Sequence, residues 1–201
     1  MPVFVPGAQA DRGSGQSMVE FALTLPILLF LLLTIADFGR YFNAGISVES
    51  SARAAAEIAA QEYLRAPTPT DYATIHRDAW SAICDESSSL ANVSYPTPGS
   101  ECSGIPTAVC VHDGLDDQCG TVYNAGGAVP AACPGLQVGS LPTNAVIGES
   151  GVEVHTFVEV RVCYRFSTML NVTLPFIGGS LSPLSGNFYI ERTRMFTVAN
   201  Y

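Results

Sequence analysis

The sequence predicts an α+β protein in which one long N-terminal transmembrane helix leads into a head with a second helix packed on a small antiparallel sheet. Three observations support this class. An apolar segment near the N-terminus continues into an Ala- and Glu-rich stretch without proline, a shorter amphipathic helical pattern follows, and two stretches near the C-terminus read as strands. Helical patterns followed by strands favour a segregated α+β arrangement.

The first element is long enough to cross a membrane. Residues 21–36 carry no charge, and extending this segment to residues 18–38 gives about 31 Å of helix, against a hydrocarbon core of about 30 Å. The extension places Glu20 and Asp37 near the two interfaces. A carboxylate within such a segment is costly, so Glu20 requires a functional explanation.

A cleaved secretory signal is the alternative to a retained anchor. Such a signal needs a positive N-terminal region and a small-residue cleavage site. Here Arg12 is balanced by Asp11, and "DFGRYFNAG" after the apolar run offers no good site. The anchor interpretation is therefore favoured.

The helix is expected to continue past the membrane and to occupy residues 16–65. An apolar stripe at mostly three- and four-residue spacing supports this continuation: Phe38, Phe42, Ile46, Ala52, Ala55, Ala56, Ala59 and Tyr63. Pro26 lies inside the helix and removes a backbone donor, which predicts a kink. The "APTPT" stretch at residues 66–70 ends the helix.

The head is expected to span residues 66–201. Asp71 is a candidate N-cap for a second helix over residues 71–90, and "ANVSYPTP" is a short strand candidate. Residues 98–151 are rich in Gly, Pro and Cys and are predicted to form an irregular excursion. Residues 152–166 alternate with period two and predict a strand with one buried face, and "NFYIERTRMFTVAN" predicts the last strand.

The cysteines predict disulfides and an extracytoplasmic head. All six lie beyond the apolar segment, and none forms a CxxC pair, so no metal site is predicted: Cys84, Cys102, Cys110, Cys119, Cys133 and Cys163. Because disulfides form outside the cytoplasm, the head is expected outside and the short N-terminus inside. The distribution of arginines around the helix does not by itself favour this orientation.

The position of the cysteines predicts one long-range pair and two local pairs. Cys84 follows an apolar helical face and Cys163 interrupts a wet strand face, so these two are expected to pair across the core. Cys102 with Cys110 and Cys119 with Cys133 are the local candidates. If the second helix packs on the valine face of the strand, however, Cys163 points away from it and the long-range pair cannot close.

Composition and motifs argue against several functional classes. A net charge of −9 disfavours nucleic-acid binding. No catalytic or phosphate-binding motif is present, and the three histidines are scattered, so neither an enzyme nor a cofactor is expected. Asp113, Asp116 and Asp117 cluster, but without the spacing of a calcium loop, and an exposed acidic turn is the simpler interpretation.

The spacing around Glu20 resembles that of type IV pilin precursors. If the chain is cut after Gly15, then Gln16 becomes the first residue of the mature chain and Glu20 the fifth. The resemblance implies a leader over residues 1–15, cleavage between Gly15 and Gln16 by a prepilin peptidase, and pairing of Glu20 with the new terminal amine of a neighbouring subunit. A buried carboxylate is tolerated only with such a partner.

More specifically, "VEFALTLPILL", the Ala-rich helix after it and, more weakly, "VRVCYRFSTMLNVTLPFIGG" and the closing strand resemble the TadE-like family of the tight-adherence (Tad/Flp) pilus system. The resemblance implies a pilin-like head and a minor pilin or pseudopilin in a bacterial inner membrane, with other pilin-like subunits, the Tad assembly platform and a prepilin peptidase as partners. The alternative is a membrane-anchored, disulfide-stapled binding domain without a role in pili.

Overall fold

The computed structural model describes residues 14–66, 71–113, 119, 121–125, 127–137, 139–141, 156–169 and 187–198. Two helices precede four strands: α1 Ser14–Arg65, α2 Tyr72–Ser87, β1 Thr107–His112, β2 Val122–Tyr123, β3 Phe157–Ser167 and β4 Asn187–Thr197. A short 3-10 turn, Pro134–Leu136, lies between β2 and β3. The predicted α+β class, with a long apolar N-terminal helix, a second helix and a small antiparallel sheet, is confirmed.

The two halves of α1 have different surroundings. Up to Ile35 its large apolar side chains are exposed, whereas from Ala44 onward one face is buried in the head. The buried face is built from small residues, which allow close approach of the neighbouring elements; we call Ala52, Ala55, Ala56, Ala59 and Ala60 the alanine seam. Part of the predicted stripe is wrong, because Phe38, Phe42 and Ile46 point outward and are 61%, 53% and 67% exposed.

The second helix forms as predicted. The Asp71 side chain accepts a hydrogen bond from the Thr74 backbone N–H at 3.3 Å, which satisfies one of the free donors at the helix start. Ile75, Ala79 and Ile83 are buried against α1 and the sheet. The "ANVSYPTP" strand candidate is wrong: that stretch contributes an isolated bridge between Ser94 and Ser103.

The four strands form one antiparallel sheet in the order β2-β1-β3-β4. The excursion predicted to be irregular therefore supplies β1, an inner strand of the sheet, and β2 at its edge. All six residues of β1 are buried. Because both faces of this strand are covered, its sequence "TAVCVH" lacks the alternation by which half-exposed strands are recognised.

The sheet has a helix side and a far side. On the helix side, Val109, Val111, Val158, Val160 and Val162 pack against α1 and α2 in the main core. The far side holds a smaller cluster around Cys133, Leu136 and Cys163, so residues 133–136 cover part of the face that was predicted to be wet. On that face Glu159 is buried and Arg165 is exposed. Residues 152–155 of the predicted strand lie outside the described residues.

Candidate functional site

The first two turns of α1 hold the residues of the predicted cleavage and assembly site. Gly15, Gln16 and Glu20 all lie in the helix and are exposed, and the Gln16 side-chain amide donates to Glu20 Oε1 at 3.2 Å. A Cβ added at Gly15 would meet no atom within 4 Å. Packing within the fold therefore does not require glycine at position 15.

The helix segment around this site has the exposed apolar surface that is typical of membrane-spanning helices. By length and composition, α1 from Gly15 onward can cross a membrane, and none of its most apolar window is buried inside the protein. The helix is assigned continuously through Pro26, so the predicted kink stays a prediction. Apolar side chains are exposed around the Glu20 carboxylate, and a carboxylate within such a membrane-type segment is costly without a partner.

A second carboxylate, Asp37, fixes the head to the helix. Asp37 is buried, and its two carboxylate oxygens accept from the Met169 backbone N–H at 3.1 and 3.0 Å. Arg40 Nη1 donates to Asp37 at 3.0 Å, and the Arg40 guanidinium lies 5.5 Å from the Phe166 ring centroid. Sequence analysis placed Asp37 only near an interface; its contact with Met169 joins positions far apart in the chain and left no local signal.

The acidic turn contributes to the fold of the head. The Asp113 carboxylate accepts hydrogen bonds from the hydroxyls of Tyr63 at 3.1 Å and Tyr72 at 2.5 Å, which ties the end of β1 to both helices. Asp116 and Asp117 lie outside the described residues. Asp113 thus has a structural role that does not require calcium.

The predicted disulfide pairing is wrong. The bonds join Cys84 to Cys102 and Cys133 to Cys163, with Cα atoms 5.6 and 6.1 Å apart. The physical reason is that α2 packs on the valine side of β3. Cys163 therefore points to the far side of the sheet, where it meets the excursion instead of Cys84. Cys110 and Cys119 are free and buried, so the predicted pairs Cys102–Cys110 and Cys119–Cys133 do not form.

The two free thiols lie beside a buried histidine on the far side. One potential ligand atom from each of Cys110, His112 and Cys119 lies within 4.8 Å of the others; we call these three residues the thiol–histidine cluster. Hydrogen bonding to Cys119, together with burial, raises the pKa of the Cys110 thiol. Sequence analysis missed this cluster, although Cys110 and His112 at alternate positions of one strand share a face.

A buried ion pair borders the cluster. Glu159, opposite Cys110 in the sheet register, is 3.3 Å from His112 Nε2 and accepts from Arg161 Nε at 2.6 Å. Burial alone raises the pKa of Glu159, but hydrogen bonds from His112 and Arg161 outweigh it, and the pKa lies below its ordinary value. Arg161 in turn donates to the carbonyl oxygens of Gly135 and Ser140, both at 3.0 Å, so the pair also holds the excursion.

Fold and site together define a protein in which one helix, among the described residues, is long and apolar enough to cross a membrane and continues into an α+β head. Residues 15–57 match the family model described as TadE-like protein. This match begins at Gly15 and extends into the alanine seam, and it confirms the TadE-like resemblance over the helix that carries Glu20. No curated protein and no solved structure matches the chain.

Proposed function

We propose that this protein is a minor pilin or pseudopilin of a Tad/Flp pilus system, a structural component rather than a catalyst. The observation that carries the proposal is the family match over residues 15–57, which contains both the Gly15–Glu20 spacing and the exposed apolar half of α1. The precursor is inserted in a bacterial inner membrane with its N-terminus in the cytoplasm and its head outside. Its partners are a prepilin peptidase, other pilin-like subunits and the Tad assembly platform.

The exposed side of α1 supports packing between subunits. The exposed Phe38 lies at the end of the segment that is long enough to span the membrane, and the exposed Phe42 and Ile46 continue its apolar surface beyond that length. A shallow groove beside them is lined by Tyr41, Phe42, Gly45, Ile46, Glu49 and Arg192. Large contiguous apolar patches on a protein surface mark interaction sites.

The cut after Gly15 is tested by processing. Gly15→Val should block cleavage, because a prepilin peptidase needs a small residue before the cut, and the open space around Gly15 lets the helix tolerate the change. Gly39→Val, on the same helix and also without atoms near the added Cβ, is the matched control. Intact mass of membrane-extracted protein decides: a mature chain beginning at Gln16 supports the proposal, and one beginning beyond Ala36 overturns it.

The role of Glu20 is tested by assembly. Glu20→Ala should still reach the membrane but should lose co-purification with other pilin-like subunits, because a carboxylate in lipid needs a cationic partner. Glu57→Ala, which removes an exposed carboxylate from the part of α1 within the head, is the control. Normal piliation in the Glu20→Ala strain would reject the assembly role.

The alternative of a membrane-anchored binding domain has less support. The cleft beside the Cys133–Cys163 bond has a volume of about 250 Å³ and is lined by residues that include Asn92, Asn124 and Tyr189. Small-molecule sites usually enclose about 300–1,000 Å³. Genes for a pilus ATPase, a secretin and a small Flp-like pilin beside this gene would separate the two functions, since a binding domain needs none of them.

A further inference from the structure

The thiol–histidine cluster is assembled by the sheet and by one residue of the excursion. Alternation along β1 directs Val109 and Val111 to the helix side and Cys110 and His112 to the far side. Cys119 is brought to the same place from the excursion. All three residues are no more than 2% exposed.

The spacing of the three donors suits a metal ion. A zinc ion is held at about 2.3 Å from sulfur and about 2.0–2.1 Å from imidazole nitrogen, so tetrahedral ligands lie roughly 3.5–3.8 Å apart. One donor atom from each residue, the two cysteine sulfurs and a ring nitrogen of His112, lies within 4.8 Å of the others. An inward shift of about 1 Å at most brings them to bonding distance, which rotation of the cysteine side chains can supply.

The histidine provides an independent sign of a missing partner. Within the described part of the chain, both ring nitrogens of His112 are buried without a hydrogen bond, but Nε2 lies 3.3 Å from Glu159 Oε2. A proton on Nε2, beside this carboxylate, leaves the lone pair of Nδ1 free. Metal-bound histidines commonly have this arrangement, with the second ring nitrogen oriented by a carboxylate.

The charges also balance. Binding of a divalent cation by Cys110 and Cys119 releases both thiol protons and leaves two thiolates, which neutralise the ion. Glu159 is already neutralised by Arg161 at 2.6 Å. The buried site therefore gains no net charge when the ion binds.

We propose that Cys110 Sγ, Cys119 Sγ and His112 Nδ1 form a site for a thiophilic divalent metal ion of the zinc type, with Glu159 positioning the histidine ring. The site fastens the excursion to β1 at Cys119, as the Cys133–Cys163 bond fastens it to β3. A Cys110–Cys119 disulfide is the competing use of the two sulfurs. Such a bond would leave His112 Nδ1 buried without a partner, whereas the metal ion engages all three donors.

The full chain, produced in a bacterial envelope and purified in detergent without reductant, tests the proposal. Elemental analysis should find one equivalent of zinc per chain, and exchange for Co²⁺ should give thiolate-to-cobalt charge-transfer absorption. His112→Phe, which keeps the ring stacked on Phe157, should lower zinc occupancy at least tenfold. His76→Phe is the matched control and should keep the zinc, because His76 is also buried with an unpaired nitrogen but is outside the cluster.

Non-reducing peptide mapping on the same samples provides the check on folding. Intact Cys84–Cys102 and Cys133–Cys163 bonds in His112→Phe would show that zinc loss is not a consequence of misfolding. If that variant does not fold, Cys119→Ser supplies the same test, since it removes a ligand with little change in volume. A Cys110–Cys119 disulfide, free thiols without zinc, or full zinc occupancy in a folded ligand variant would each overturn the proposal.

Discussion

The two sides of the head sheet are held by different interactions. The helix side is filled by valines and by the alanine seam, so burial of apolar surface stabilises it. On the far side, residues 133–136 are joined to β3 by a disulfide, and the Glu159–Arg161 ion pair reaches two carbonyl groups of the excursion. The comparison indicates that the helix side depends on apolar packing spread over many residues, whereas the far side depends on a few individual bonds.

The largest effect is expected from a charge placed on the helix side. Val160 is fully buried there, so Val160→Asp should destabilise the head by more than about 4 kcal/mol, because the carboxylate would have no cationic partner. Arg165→Ala, on the exposed end of the same strand, should change stability by less than about 0.5 kcal/mol. Limited proteolysis measures both, and a protease-resistant Val160→Asp head would contradict the comparison.

Loss of a disulfide should produce the next largest effect. Replacing Cys133 and Cys163 together by Ala removes a bond that spans 30 residues, worth about 3–4 kcal/mol by the chain-entropy estimate. New protease cuts should appear in the excursion while the helix side stays protected. The Cys84 and Cys102 double variant is the control: it removes a bond spanning 18 residues, and its new cuts should lie near the end of α2 instead. Identical cleavage patterns in the two double variants would be evidence that the two disulfides do not stabilise different parts of the head.

Protonation of His76 should have a smaller effect that depends on pH. Burial lowers the pKa of His76 from 6.5 to about 4, so the unfolded chain takes up a proton at a higher pH than the folded chain. The contribution of neutral His76 to the free energy of unfolding should be fully present above pH 6.5. It should fall by roughly 2–3 kcal/mol as the pH decreases toward 4. His76→Phe should flatten this part of the profile. Urea unfolding at several pH values provides the measurement, and an unchanged slope would exclude His76 as its source.

The smallest effect is expected at the edge of the helix side, where Arg192 and Arg194 of β4 form ion pairs with Glu49 of α1. The three side chains are 45%, 49% and 32% exposed, so water and salt screen the interaction. Glu49→Gln should cost less than about 1 kcal/mol, and the cost should vanish at high salt. A double-mutant cycle with Arg194→Gln measures the coupling, and a larger, salt-independent value would refute this assignment.

Features with a local signal in the sequence were predictable. The apolar segment, the Asp71 cap and the alternation of β3 each arise from neighbouring residues, and these features gave α1, α2 and β3. The same alternation indicated which face of β3 lies on the core. The predicted last strand begins at Asn187, as β4 does, but it was predicted to run to Asn200, whereas β4 ends at Thr197.

The far side was not predictable because its contacts join distant positions. Cys133 and Cys163 are 30 residues apart, and nothing near either one specifies the partner. The burial of β1 on both faces removed the pattern that would have identified it as a strand. The candidate site divides in the same way: the Gly15–Glu20 spacing is local, whereas the contact of Asp37 with Met169 and the thiol–histidine cluster depend on the fold.

The continuity of α1 has a mechanical consequence. The same 52-residue helix carries the exposed apolar surface and the alanine seam. Asp37 also joins this helix to Met169, just after the end of β3. A pull along the axis of the membrane segment is therefore borne directly by the head core, without an intervening tether. Raising the helix by one turn, about 5.4 Å, would lift the head by the same distance, and a twist of the helix would turn the head with it.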